Sequence, residues 1–123
     1  MKTRRHQELE VYKESFGAAM TVFEISKRFP REEKYSLTDQ VRRSSRSVCA
    51  NIAEAFRRRK YPNSFVAKLN DAEAEAAETQ TWLEFADSCN YVDSNTANQT
   101  ASIYNGIIGR LVVMSNQPES WTV

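Results

Sequence analysis

A chain of 123 residues with a formal net charge of +1 has the size of one domain, since domains run to roughly 100–150 residues. Three glycines and three prolines, where average usage gives about fifteen together, exclude collagen-like, linker-like and turn-rich β-sandwich chains, and 41% hydrophobic residues exclude wholesale disorder. The composition predicts a single domain over residues 1–123, built from long helices with few turns.

The first periodic segment runs from Glu8 to Phe29, with Leu9, Tyr12, Phe16, Ala19, Met20 and Phe23 as its apolar face. Pro30 ends it. Ser36 with Asp39 three residues on resembles a capping box and opens a second helix, whose stripe is Leu37, Val41, Ser44/Ser45, Val48, Ile52 and Ala55/Phe56. Tyr61-Pro62-Asn63-Ser64 makes the next break, with Asn63 or Ser64 as cap. The third helix carries Phe65, Leu69, Ala72, Ala76, Thr79, Leu83 and Ala86 in alternating steps of four and three, the repeat of an antiparallel bundle seam. Asp93 or Ser94 caps a fourth helix with the face Ala97, Ala101, Tyr104, Ile108, Leu111 and Ser115. Gly106 and Gly109 are read as permitting close helix packing, and residues 1–7 and 117–123 as flexible flanks. The predicted fold is all-α, an antiparallel up-down-up-down four-helix bundle.

The near-zero net charge hides strong segregation. Between Gln40 and Lys60 stand seven basic residues, Arg42, Arg43, Arg46, Arg57, Arg58, Arg59 and Lys60, against the single acid Glu54. Between Asp71 and Asp87 there are six acids and no base. At about 100° per residue, Arg42, Arg46, Arg57 and Lys60 share one side of helix two with Ala50 and Ala53, a side that can approach a polyanion closely. Such a strip either neutralises phosphates with counterion release or pairs with the acidic helix three, in the same subunit or in a neighbour. A second strip of Gln40, Arg43, Ser47, Asn51, Glu54 and Arg58 is either a contact between subunits or solvated surface. Glu75, Glu78 and Trp82 on helix three complete the candidate interface with Ser47, Asn51 and Glu54, because a tryptophan on a free surface is wasteful. Tyr35, Tyr61 and Phe65 flank the basic region, either as stacking platforms for unpaired bases or as packing at the bundle end.

No catalytic or metal reading gains support. His6 is the only histidine and lies in the chain's first few residues, which removes most nucleophile–base dyads and zinc sites. A di-iron bundle needs Glu-x-x-His on two helices, and this chain has none. Glu54 and Glu78 would serve as an acid/base pair only if they converge. No glycine-rich phosphate loop occurs, so no cofactor is expected. Cys49 and Cys89 are read as reduced thiols in helical stretches. A charged start without a signal-like apolar core, and no apolar run long enough to cross a membrane, predict a soluble cytoplasmic protein with no membrane partner.

Phe29-Pro30-Arg31-Glu32-Glu33-Lys34-Tyr35-Ser36-Leu37-Thr38-Asp39-Gln40-Val41-Arg42-Arg43, followed by Ser47-Val48-Cys49-Ala50-Asn51-Ile52-Ala53-Glu54-Ala55-Phe56, resembles the signature of the four-helix-bundle family of the 23S rRNA intervening-sequence protein. Ala55 stands where that family usually has Gly, and Ala74-Glu75 where it usually has Gly-Ser; both departures favour straighter helices. The resemblance covers about Glu8 to Ser115. It implies a non-enzymatic bundle that assembles as a homo-oligomer, a pentameric ring or barrel. A similar bundle, the accessory variability protein of diversity-generating retroelements, binds a reverse transcriptase and nucleic acid through a basic surface. Two functional expectations follow. One is an oligomeric bundle whose helix two binds nucleic acid, RNA foremost, beside a reverse transcriptase or an rRNA element. The other is a homo-oligomeric scaffold in which basic helix two meets acidic helix three of a neighbouring subunit.

Overall fold

Four helices, α1 (Glu10–Ser26), α2 (Leu37–Arg57), α3 (Pro62–Ser88) and α4 (Ser94–Asn116), carry most of the chain in the computed structural model, which describes residues 3–121. The architecture is all-α, with no strand among the described residues. A link of four residues between α2 and α3 spans at most about 14 Å, whereas α2 is about 30 Å long, so α3 must turn back along it. The cross-helix contacts give the same direction. Arg58 meets Ser64, Glu54 meets Lys68, and Ser44 meets Thr79, so numbers rise on one helix as they fall on the other. Asp87 with Ser94 and Gln80 with Ala101 repeat the pattern between α3 and α4.

The α2–α3 pair follows its pattern closely. All seven seam positions of α3 are its buried residues, and every position of the α2 stripe is buried. Ala72, Ala76 and Ala86 are fully buried, and their small side chains let neighbouring backbones come close. Ser44 and Thr79 share a buried hydrogen bond of 2.7 Å, so polarity in this seam is satisfied across the two helices.

The helix ends differ from the expected caps. Ser36 precedes α2 but its side chain makes no capping bond; Glu33 takes that role, its carboxylate accepting the Leu37 N–H at 3.2 Å and the Tyr91 hydroxyl at 2.9 Å. The Tyr91 bond, ahead of the backbone one, holds the Glu33 carboxyl below the ordinary carboxylate range. Pro62, not Asn63 or Ser64, sets the start of α3, since its missing N–H costs nothing in the first turn. Asp93 caps α4 as expected, accepting the Thr96 N–H at 2.8 Å.

Two faces are turned from their predicted positions. In α1 the buried residues are Val11, Ser15, Ala18, Val22 and Ser26, one position off the aromatic stripe, because small and β-branched side chains allow a closer approach to the core. Phe16 and Met20 are left 52% and 48% exposed. In α4, Thr100, Ile107 and Met114 replace Ala101, Ile108 and Ser115 beside Ala97, Tyr104 and Leu111. Gly106 and Gly109 are exposed, and a Cβ built at either meets nothing within 4 Å, so neither serves close packing inside this chain. Cys49 is buried and Cys89 exposed, both free.

Short 3-10 turns at His6–Glu8 and Pro118–Ser120 flank the helices, and Trp121 packs on the core. Of the flanks expected to be flexible, residues 1, 2, 122 and 123 lie outside the described residues. No helix among the described residues is long and apolar enough to cross a membrane.

The alanine seam leaves no room for larger residues. Ala76→Leu is expected to destabilise the bundle by about 1–3 kcal/mol through overpacking, read from urea unfolding; a variant as stable as the parent would contradict the close α3 seam.

Candidate nucleic-acid interface

The two strips of α2 meet different surroundings. Arg43 reaches across to α3, with Nη1 donating to Glu75 Oε2 at 3.2 Å and Nη2 to the Glu78 carboxylate. Asn51 Nδ2 donates to the Ser47 carbonyl at 2.9 Å, Glu54 pairs with Lys68 at 3.6 Å, and Arg58 Nη1 donates to Ser64 Oγ at 3.2 Å. The polar strip therefore runs along the α2–α3 seam of one chain. Glu75 and Glu78, expected at a contact between subunits, are engaged here by Arg43. Burial pushes the Glu75 carboxyl up, but bonds involving Ser47, Glu78 and Arg43 hold it below the ordinary range. Burial and the neighbouring Glu75 carboxylate hold Glu78 above it.

On the other side stands the cationic face. Arg42 is half-buried, its Nε donating to Ser26 Oγ at 2.7 Å and its guanidinium lying 4.7 Å from the Phe23 ring centroid. Arg46 is exposed at 5.9 Å from the same ring. Arg57 is exposed, Arg59 stacks on Phe56 at 3.6 Å, and Lys60 lies 5.6 Å from the Tyr61 ring; Arg58, also exposed, stays on the seam side through Ser64. None of these six forms an ion pair with a carboxylate among the described residues; of the predicted phosphate-binding set only Arg43 does. Ala50 and Ala53 keep the middle of the face low. A shallow trough of about 700 Å³ joins Lys34, Tyr35, Arg42, Arg46 and Ala50, with Arg43 also lining it and Asp39 as its only carboxylate.

The trough borders a feature that the periodicity placed in the core. Tyr12, Phe16, Met20 and Phe23 of α1 meet Arg46 and Ala50 of α2 around a groove of about 420 Å³. The signal for it was the second stripe of α1, Val11, Ser15, Ala18, Val22 and Ser26, whose smaller side chains fit a tight bundle better. Tyr35 is 85% and Tyr61 59% exposed, whereas Phe65 is a core residue at 1%. Trp82 is half-buried against the core with its ring 6.1 Å from Phe85, so it is no free-standing surface group.

Glu54 and Glu78 do not converge as an acid/base pair. Glu54 sits with Lys68 and Glu78 with Arg43, and the eleven residue steps from Arg43 to Glu54 put those pairs about 16 Å apart along α2. No group of three or more His, Cys, Asp or Glu side chains able to hold a metal occurs among the described residues.

Residues 7–112 match the 23S rRNA-intervening sequence protein family, and the chain belongs to it. A solved structure, described as a protein with unknown function from the S23 ribosomal protein family of Bacteroides thetaiotaomicron, is similar to it with a TM-score of 0.77 and 28% sequence identity. The similarity covers 85% of this chain and 97% of that one. Comparison with curated proteins finds no match.

Arg43 is the cation that keeps two adjacent carboxylates together. In Arg43→Ala, Glu78 loses its counter-ion while burial and Glu75 still hold its carboxyl high. An acid raised in the folded state costs stability as pH rises through its ordinary value. The variant's deficit relative to the parent should therefore be small at about pH 3 and reach its full size by pH 7, at no more than about 1 kcal/mol for so exposed a pair. Urea unfolding at both pH values checks this; a deficit that does not change with pH would contradict it.

Proposed function

We propose that this member of the 23S rRNA-intervening sequence protein family binds RNA without catalysing a reaction, through the cationic face of α2. The observation that carries the reading is the division of arginines: Arg43 is engaged by Glu75 and Glu78, while Arg42, Arg46, Arg57, Arg58, Arg59 and Lys60 have no carboxylate partner among the described residues. Like charges held this close repel one another, and phosphates relieve that repulsion while releasing their own counterions. Guanidinium groups also bind phosphate oxygens bidentately, which lysines cannot do. The family's description names 23S rRNA, which favours RNA as the polyanion. An rRNA element or a reverse transcriptase is the setting the reading implies, in the cytoplasm and with no cofactor.

A second reading, the homo-oligomeric scaffold, draws on a different observation. Phe16 and Met20 expose apolar surface beside Arg46, and Glu73 and Glu84 of α3 form no ion pair among the described residues. A neighbouring subunit that brings its acidic α3 to this groove would cover the apolar surface and neutralise the arginines together, in a pentamer or another closed ring.

The two separate in one titration. RNA binding should weaken linearly in log affinity against log salt, with a slope of roughly −0.7 per phosphate neutralised on a single strand. Arg46→Glu combined with Arg57→Glu should abolish it and leave the mass in solution unchanged. A variant that binds as before would overturn the RNA reading, and one that falls apart into monomers would favour the scaffold.

A further inference from the structure

We infer that the RNA held on this face is single-stranded, with unpaired bases stacked on Tyr35 and Tyr61; this rests on the RNA reading above and specifies its ligand. The two rings flank α2 at opposite ends, Tyr35 just before Leu37 and Tyr61 just after Arg57, about 30 Å apart along the helix. Both are exposed, at 85% and 59%, and each carries a cation beside its face, Lys34 at 5.3 Å and Lys60 at 5.6 Å. Neither hydroxyl is needed by the fold, since no hydrogen bond of either is found among the described residues, whereas Tyr91 is tied to Glu33.

Between the rings lies the face already described. Arg42 and Arg46 share the trough with Tyr35, the low stretch of Ala50 and Ala53 follows, and Arg57 to Lys60 lead to Tyr61. Phosphates of a flexible strand can follow these cations while its bases turn toward aromatic faces. A duplex cannot use the rings in this way, because its bases are stacked on one another and show a face only at the helix ends. Aromatic stacking is indifferent to base identity, so the site selects strandedness and not sequence. Phe16 and Met20 on the neighbouring α1 wall add an apolar surface where bases turn inward.

The experiment compares an unstructured RNA of about 12 nucleotides, within the range of single-strand site sizes, with a blunt duplex of the same length at one low salt concentration. Tyr35 and Tyr61 are exposed, so Tyr35→Ala with Tyr61→Ala should leave the bundle folded, which circular dichroism checks. The parent should prefer the single strand. The double alanine variant should lose roughly five- to a hundredfold of single-strand affinity for each ring, keep its duplex affinity and keep its salt slope. Tyr35→Phe with Tyr61→Phe should restore binding. Equal affinity of parent and alanine variant, with Arg46→Glu still defective, would overturn the stacking inference and leave RNA binding standing. A parent that binds neither RNA even at low salt would overturn both.

Discussion

The close seam between α2 and α3 decides what the rest of the surface can be. Alanines at 72, 76 and 86 and the Ser44–Thr79 hydrogen bond bring the two helices together, and the same approach puts Arg43 within reach of Glu75 and Glu78. One flank of α2 is thereby spent on its own chain. On the opposite flank Arg42, Arg46 and Arg57 form no ion pair with a carboxylate among the described residues, and Asp39 alone lines the trough beside the first two. A dipolar chain whose charges had paired at random would have left neither flank so uniform. Segregation of charge along the sequence becomes segregation around one helix.

The second consequence concerns α1. A helix beside so narrow a seam is held best by small side chains, so Val11, Ser15, Ala18, Val22 and Ser26 turn inward. The larger residues of the neighbouring stripe are displaced toward α2, where Phe23 stacks against Arg42 and Arg46. Cation–π contact of this kind orients a guanidinium without neutralising it, so the face gains order and keeps its charge. Cys49, at the floor of the groove, has its thiol pushed up to about 11 by burial, and acts as a small apolar wall.

The fold was readable wherever packing follows a single regular stripe. Every seam position of α3 and every stripe position of α2 could be named from spacing, because few alternative faces exist in helices with so little apolar redundancy. In α1 two stripes competed, and hydrophobicity favoured the wrong one; size decided, and size matters only once the neighbours are known. Helix ends followed local chemistry at Asp93 and Pro62, whereas the Glu33 cap of α2 depends on Tyr91, 58 residues away in sequence. Within the candidate site, the run of basic residues was plain, but its division was not. Arg42, Arg43 and Arg46 look alike in one dimension, and only the position of α3 separates the paired one from the others. The burial of Phe65 follows from the α3 seam, whereas the exposure of Tyr35 and Tyr61 settles at the bundle ends, where periodicity carries no information.

The central claim is that the cations on the free flank of α2 are available to a polyanion while Arg43 is not. Arginine-directed chemical footprinting with and without saturating single-stranded RNA reads this directly, residue by residue. RNA should shield Arg46 and Arg57 and leave the reactivity of Arg43 unchanged. Unaltered reactivity of Arg46 and Arg57 under saturating RNA would contradict it, as would shielding of the same arginines that depends on protein concentration alone.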